Sequence, residues 1–162
     1  MSSKIMIRFA GTDDFETLVK FNRAMARETE SRELLLGVVS AGVSALLEKP
    51  ELGFYIVAER DGEVVGSLMV TTEWSDWRNG TFWWIQSVYV LPKARRQGIY
   101  RRLYEFVKIE AERRESVCGF RLYVERDNVP AQRTYCSLGM IETHYKVYEE
   151  LRQNSKFFDN AA

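Results

Sequence analysis

The sequence has few of the residues that form disulfide bonds or bind metal ions. Its 162 residues include two cysteines, one histidine and three prolines. Cys118 and Cys136 do not have the short spacings of zinc ligands, so we expect no metal site and no disulfide framework. The formal net charge is zero, which provides no overall attraction to nucleic acid or to a membrane surface.

Long apolar runs are lacking as well. No stretch approaches the roughly 20 apolar residues of a membrane-spanning helix. The opening MSSKIMIRFAG has no apolar core of signal-peptide length. We therefore expect no membrane association and a cytoplasmic location. Because the chain shows neither an internal repeat nor a linker, we expect a single domain over residues 3–152 and a C-terminal tail at 153–162.

Hydrophobic periodicity predicts strands and helices in alternation. Period-two patterns, together with the turn signal Asp61-Gly62, predict strands at 5–10, 54–60, 63–74, 81–92, 120–126 and 140–151. Helical spacing predicts helices at 13–30, 32–47, 98–114 and, between a cap at Asn128 and a stop at Gly139, 129–138. The order β-α-α-β-β-β-α-β-α-β indicates a mixed α/β sheet with helices on its faces.

Four arginines lie between the strand that ends near Pro92 and the helix that follows, in the segment RRQGIYRR from Arg95 to Arg102. The free N–H groups at a helix start are already partly positive, so cations there are unfavourable unless an anion binds. Gly98 lets the backbone approach a ligand closely. The pattern predicts a phosphate site, with a solvated helix face as the alternative. The chain contains no GxxxxGK[ST] motif, which excludes a P-loop.

This segment resembles the acyl-CoA motif [Q/R]-x-x-G-x-[G/A] of the GNAT N-acetyltransferase superfamily. Arg95 fills the first place and Gly98 the glycine, whereas Tyr100 stands where the family has a small residue. The strand before it ends SVYVLP, similar to the family's Val-x-Pro. NVPAQRTYCSLGM, Asn128 to Met140, is similar to N-x-x-A-x-x-x-Y-x-x-x-G-F. The resemblance implies a GNAT-like α/β fold: a mixed, mostly antiparallel central sheet of six to seven strands with about four helices.

The resemblance also implies where acetyl-CoA would bind as co-substrate. Backbone groups of Val88 and Val90 would bond the pantetheine arm as an added strand, and Asn128, if it is not only a helix cap, would bond a pantetheine amide. Amides from 96–101 would hold the pyrophosphate, with charge-assisted contacts from Arg95, Arg96 or Arg101. The implied cofactor-binding residues are Val88, Tyr89, Val90, Arg95, Arg96, Gln97, Gly98, Ile99, Tyr100, Arg101, Asn128 and Tyr135.

The activity that the resemblance implies is acetyl transfer from acetyl-CoA to an amine by direct attack, without a covalent enzyme intermediate. Tyr135 would protonate the departing thiolate, unless it is only a core aromatic. Diamine-acetylating relatives have a glutamate where this chain has Gln86. Gln86 would therefore order a water, and Glu73 is the first candidate for a base acting through it. The alternative for Glu73 is a surface carboxylate.

Acidic and aromatic residues indicate what kind of molecule would accept the acetyl group. Glu28, Glu30, Trp74 and Trp84 are the candidates for holding a small primary amine, by charge and by cation–π attraction. The rival acceptors are a protein N-terminus or a lysine, and a CoA-binding module without turnover is a further alternative. Nucleic-acid binding is disfavoured because there is no basic stripe beyond one helix end. A homodimer through exposed tryptophans stays open.

Overall fold

A five-stranded sheet organises the computed structural model, which describes residues 4–158. The strands are β1 (Ile5–Phe9), β2 (Phe54–Arg60), β3 (Glu63–Ser75), β4 (Gly80–Val90) and β5 (Val117–Arg121). They lie in chain order; the first four pair antiparallel and β5 runs parallel to β4. The predicted domain start at residue 3 and the last four tail residues, 159–162, lie outside the described residues.

Over residues 4–158 the chain forms four helices, as predicted. They are α1 (Phe15–Glu30), α2 (Leu36–Glu48), α3 (Ile99–Glu112) and α4 (Val129–Ser137). The larger core cluster joins α3 to the sheet and includes Leu68, Val70, Trp83 and Leu103. The second cluster, with α1 and α2 on the opposite face, includes Leu18, Val43 and Val57.

Local signals account for several of these elements. Asp61 and Gly62 have φ of 53° and 80°, as a two-residue turn of type I′ requires, and they join β2 to β3 as predicted. Asn128 caps α4 through its side chain. Gly139, just beyond the helix, has φ of 96°, which suits a C-terminal stop.

The prediction of six to seven strands is wrong, since the sheet formed by residues 4–158 has five. The predicted last strand, 140–151, has the right alternation but pairs with no strand of the described chain. The predicted strand 120–126 instead spans Val117–Arg121, because only that segment lies beside β4. Alternation predicts which side chains share a face, whereas membership of a sheet needs a neighbour with which to exchange hydrogen bonds.

Residues 4–158 contain neither a membrane-spanning helix nor a metal-binding cluster. Within that range no helix combines the length and the apolar character needed to cross a bilayer. Nor do three or more His, Cys, Asp or Glu side chains in the same range come together as a metal-binding group.

Candidate functional site

A bulge interrupts β4 in its second half. Met69 lies opposite Gln86 and Ser67 lies opposite Tyr89, so β4 has one residue more than β3 over this stretch. Ser87 lies inside the bulge with φ of 48°, a left-handed conformation that is uncommon for residues other than glycine. Bulges of this kind bend a strand and change the direction of its groups, frequently beside active sites.

Beyond the bulge, one edge of β4 is open. β5 pairs with β4 only over residues 81–84, and no other strand of the described chain lies on that side. Leu91 N–H donates to Val65 O of β3 (2.9 Å). Because N–H groups alternate in direction along a strand, those of Val88 and Val90 point away from β3, towards the open edge. An extended ligand can add to such an edge as a further strand.

The loop after β4 presents its backbone as a group of donors. Arg96 and Gly98 have φ of 62° and 74°, and residues 95–98 are exposed. The first hydrogen bond of α3 runs from Arg102 N–H to Gly98 O (3.2 Å), so the N–H groups before Arg102 lie outside the helical ladder. A Cβ built at Gly98 would meet no atom within 4 Å. Left-handed residues before a helix N-terminus form a concave set of donors that suits an anion.

The side chains of this loop have different environments. Gln97 braces the loop, because its Oε1 accepts from Arg60 Nη1 (2.6 Å) and its Nε2 donates to Lys93 O (2.9 Å). Arg96 and Arg101 are exposed and take part in none of the salt bridges found between residues 4 and 158. These two arginines therefore remain available to a ligand.

The Arg95 side chain points towards α1. Its Nε donates to Val90 O (2.9 Å) and its Nη2 pairs with a Glu28 oxygen (2.6 Å). Tyr89 O–H donates to the other Glu28 oxygen (2.8 Å). The Arg95 side chain thus ties α1 to the end of β4. Of the three arginines predicted to contact the pyrophosphate, Arg96 and Arg101 are therefore the two that have no salt bridge within residues 4–158. The N–H of Val90 is free for a ligand, whereas its carbonyl accepts from Arg95.

The pairing of Glu28 predicts a pH-dependent stability. Burial opposes ionisation, but hydrogen bonds from Arg95 and Tyr89 lower the pKa of Glu28 below its ordinary value. Such a group stabilises the fold above its unfolded pKa, and the contribution is lost as pH falls through the folded pKa. The paired side chains are 43% and 41% exposed, so solvent screening keeps the effect small, about 0.5–1 kcal/mol.

We therefore expect Glu28→Gln to lower the free energy of unfolding by that amount at pH 7 and to have little effect at pH 3. Urea unfolding at the two pH values measures it. Glu30→Gln is the matched control, because Glu30 is an exposed carboxylate two residues further along α1. A loss from Glu28→Gln that is equal at both pH values would contradict the ion pair as its source.

Helix α4 places Tyr135 against the first turn of α3. Its ring meets that of Tyr100 edge to face at 5.5 Å, and Tyr100 stacks on Tyr104 at 6.1 Å. Burial raises the pKa of Tyr135 above its ordinary value, so the hydroxyl keeps its proton at neutral pH. The Tyr100 hydroxyl is buried without a hydrogen-bond partner in the described chain, which is costly unless a ligand or water completes it.

Asn128 is confirmed as a helix cap. Its Oδ1 accepts from Ala131 N–H (3.2 Å) at the start of α4. The bond uses only the carbonyl oxygen of the side chain. The amide Nδ2, which has two N–H groups, stays compatible with donation to a ligand carbonyl, so the cap and the predicted contact do not exclude each other.

Gln86 and Glu73 are on the same face of the sheet but are not neighbours. Gln86 Nε2 donates to Thr71 Oγ1 (2.6 Å). Glu73 is paired with Arg121 and lies four residues along β3 from Met69, the register partner of Gln86. At 3.3 Å per residue this is about 13 Å. One water cannot bridge that separation, so a base role for Glu73 would require a chain of waters.

The predicted acceptor residues do not form one group. Trp84 pairs with Thr71 and so shares the face of Gln86, whereas Trp74, three residues from Thr71, points to the opposite face. Trp84 instead has Tyr123 beside it, with ring centroids 6.1 Å apart. Glu30 follows Glu28 by two residues, a spacing that places them on different sides of α1.

The structure adds three residues to this region that the sequence did not predict: Thr71, Ser87 and Tyr123. Thr71 is placed beside Gln86 by the register of β3 on β4, and a register is set by the pairing of the two strands, not by the residue type at one position. Ser87 gives no signal, because a serine is not an expected residue for positive φ. Tyr123 approaches Trp84 from beyond β5, a contact between distant elements.

Comparison with known proteins agrees with this geometry. The chain matches the family model described as the acetyltransferase (GNAT) family over residues 16–140. The crystal structure of "a possible acetyltransferase" from Clostridium difficile 630 is 47% identical, with a TM-score of 0.85 over 91% of this chain and 97% of that one. No curated protein sequence matches the chain.

Two structures with ligands share the fold at low identity. One is AAC(6')-Iy in complex with the bisubstrate analogue CoA-S-monomethyl-acetylneamine, at 16% identity and TM-score 0.77 over 93% of this chain and 99% of that one. The other is a predicted acetyltransferase with acetyl-CoA from Clostridium acetobutylicum, at 16% identity and TM-score 0.75 over 91% and 96%. Because the family model spans most of its length, the chain belongs to the GNAT acetyltransferase family.

Proposed function

We propose that this protein is an acyl-CoA-dependent N-acyltransferase, which moves an acetyl group from acetyl-CoA to a primary amine of a small molecule. One observation carries the proposal. The open edge of β4 is followed, after a short turn at 92–94, by the donor loop before α3. An extended amide chain that ends in a pyrophosphate would find strand-like partners along Val88 and Val90 and anion donors at the loop.

The residues present fit acetyl-CoA. The carbonyl of Val88 and the N–H of Val90 would bond the pantetheine arm, and Asn128 Nδ2 would donate to one of its carbonyls. Backbone amides from 96–101 would hold the pyrophosphate, with Arg96 and Arg101 providing charge. The Tyr100 hydroxyl, which has no partner in the described chain, adds a donor beside this loop. When bound, acetyl-CoA supplies the activated acetyl group as a thioester.

The chain's own contribution to chemistry would then be modest. Val88 N–H would polarise the thioester carbonyl from the bulged strand. Tyr135 would give its phenolic proton to the leaving thiolate. Gln86, held by Thr71, would orient a water near the attacking amine. Holding both reactants together supplies much of the remaining rate.

The acceptor side favours a small cationic amine. The face that carries Gln86 also carries Trp84, with Tyr123 beside it, and aromatic rings attract cations. A protein N-terminus or a lysine remains the rival acceptor, and a CoA-binding module without turnover is the other alternative, since Gln86 cannot accept a proton.

The test is acetylation itself. Protein and acetyl-CoA are incubated with a polyamine, an aminoglycoside, a peptide with a free N-terminus and a peptide with one lysine, and thiol release and product mass are measured. We expect acetylation of a small amine at a higher rate than of either peptide. Faster peptide acetylation would establish the rival acceptor. Acetyl-CoA binding without any turnover would establish the binding module, and no binding would refute both.

A further inference from the structure

The loop between β4 and α3 contains a residue in an unfavourable backbone conformation. Arg96 has φ of 62°, in the left-handed region, where the Cβ crowds the following carbonyl oxygen. Such conformations persist only where the surrounding structure holds them. Gly98 also has positive φ, but glycine accepts it without strain. The conformation of Arg96 therefore needs a cause outside the residue itself.

The residue before Arg96 is fixed by α1 and β4. Arg95 Nη2 pairs with Glu28 (2.6 Å), and Arg95 Nε donates to Val90 O (2.9 Å). The Arg95 guanidinium also lies over the ring of Tyr89, 5.5 Å from its centroid. Tyr89 is buried and its O–H donates to the Glu28 carboxylate (2.8 Å), so that carboxylate is itself held on two sides. The Arg95 side chain consequently has little freedom to turn.

The residue after Arg96 is fixed by the end of β2. Gln97 Oε1 accepts from Arg60 Nη1 (2.6 Å), and Gln97 Nε2 donates to Lys93 O (2.9 Å). Both polar atoms of the Gln97 side chain are therefore used. Arg60 takes part in none of the salt bridges between residues 4 and 158, so no carboxylate there draws it away from Gln97. Arg96 thus lies between two neighbours that are both anchored to distant elements.

We propose that Glu28 and Arg60 are positioning residues of the acyl-CoA site, which clamp the two neighbours of Arg96 and so hold the amides of 96–101 in the arrangement that suits a pyrophosphate. Neither residue touches the ligand in this role, because they act through Arg95 and Gln97. A site that already has its binding conformation loses no affinity to the cost of reaching it. The inference rests on the proposed function, since it concerns the same site.

Glu28→Gln gives the sharpest test, because positioning and charge predict opposite results. Glutamine has the size of glutamate but forms no ion pair, so Arg95 is released. Removing a negative charge near an anion site should, by charge alone, tighten the binding of acetyl-CoA. Loss of positioning should weaken it. We expect the dissociation constant of acetyl-CoA to rise about two- to fivefold, the range for one partly exposed ion pair, as measured by isothermal titration calorimetry at 25 °C.

Glu30→Gln is the matched control. It removes the same charge from the same turn of α1, and Glu30 is exposed and forms no salt bridge within the described part of the chain. We expect its dissociation constant to equal that of the wild type or to be slightly lower. An equal rise in both variants would overturn the proposal. So would an unchanged constant in Glu28→Gln, which would limit Glu28 to stability, or a lower one, which would show that the released Arg95 binds the ligand.

Arg60→Gln tests the other half of the clamp. It releases Gln97, and we expect the dissociation constant of acetyl-CoA to rise by a similar factor. Lys20→Gln is the charge control, because Lys20 is an exposed cation on α1 and its loss changes the net charge equally. If Lys20→Gln weakens binding as much as Arg60→Gln does, the effect is one of general charge and Arg60 is not a positioning residue.

Backbone ¹⁵N relaxation separates this inference from the proposed function, because it needs no ligand. We expect the order parameter of the Arg96 amide to be about 0.85 in the wild type and below about 0.6 in Glu28→Gln/Arg60→Gln, with the other amide signals showing that the variant is folded. A loop that stays rigid in the variant would overturn the clamp even if acetyl-CoA binds. A wild type that does not bind acetyl-CoA would refute the proposed function and the role of the clamp in binding, whereas relaxation would still decide whether the two residues hold the loop.

Discussion

Gly98→Asp is expected to abolish most of the stabilisation that acetyl-CoA gives to the folded protein. At 100 times its dissociation constant, a ligand that binds only the folded state adds about 2.7 kcal/mol, or roughly 5–11 °C in Tm for a chain of this size. A carboxylate at position 98 would lie among the amides that hold the pyrophosphate, and like charges in such a site cost several kcal/mol. An affinity loss of about 100-fold leaves only about 0.4 kcal/mol at the same concentration.

The matched control is Gly98→Asn. Asparagine has the size of aspartate and, like it, is one of the few residues that accept positive φ, and a Cβ at position 98 meets no atom within 4 Å. We therefore expect Gly98→Asn to keep most of the thermal shift. An equal loss in both variants would assign the effect to backbone geometry. An unchanged shift in Gly98→Asp would remove the pyrophosphate from this loop.

The parts of the fold that local chemistry specifies are the ones that the sequence predicts well. The Asp61-Gly62 turn and the apolar faces of α1 and α3 depend on residues close together in the chain. The pairing of β5 and the missing sixth strand depend on which segments meet in space. Residues 140–151 show the difference clearly, because their alternation predicts a strand, whereas they pair with no strand of the described chain.

The candidate site likewise contains residues that the sequence indicates and residues whose role depends on distant parts of the chain. Gly98 stands out in the sequence because glycine is the usual residue for a left-handed turn before a helix. Arg96 and Ser87 have the same left-handed conformation without any such signal. Arg95 follows the family's motif, but its ion pair with Glu28 spans 67 residues of sequence, so no local pattern can predict that its guanidinium turns towards α1.

Tyr135→Phe is expected to lower kcat by about 10²- to 10⁴-fold, the range for loss of a general acid. The phenyl ring keeps the edge-to-face contact with Tyr100, so the KM for acetyl-CoA should change by less than about threefold. A fall in kcat without a matching change in KM identifies an interaction made in the transition state. Steady-state thiol release with the best amine measures both constants.

The control and the pH profile separate an acid from a packing residue. Tyr104→Phe removes a hydroxyl from the same aromatic cluster and should leave kcat within about threefold of wild type, if that hydroxyl takes no part in proton transfer.

Burial raises the pKa of Tyr135 above its ordinary value, and an acid works only while protonated. The wild-type kcat should therefore persist to alkaline pH and fall only as pH rises through that raised pKa. Tyr135→Phe should lack this alkaline limb. A limb that persists in the variant would assign the titration to another group and leave Tyr135 as a wall of the site.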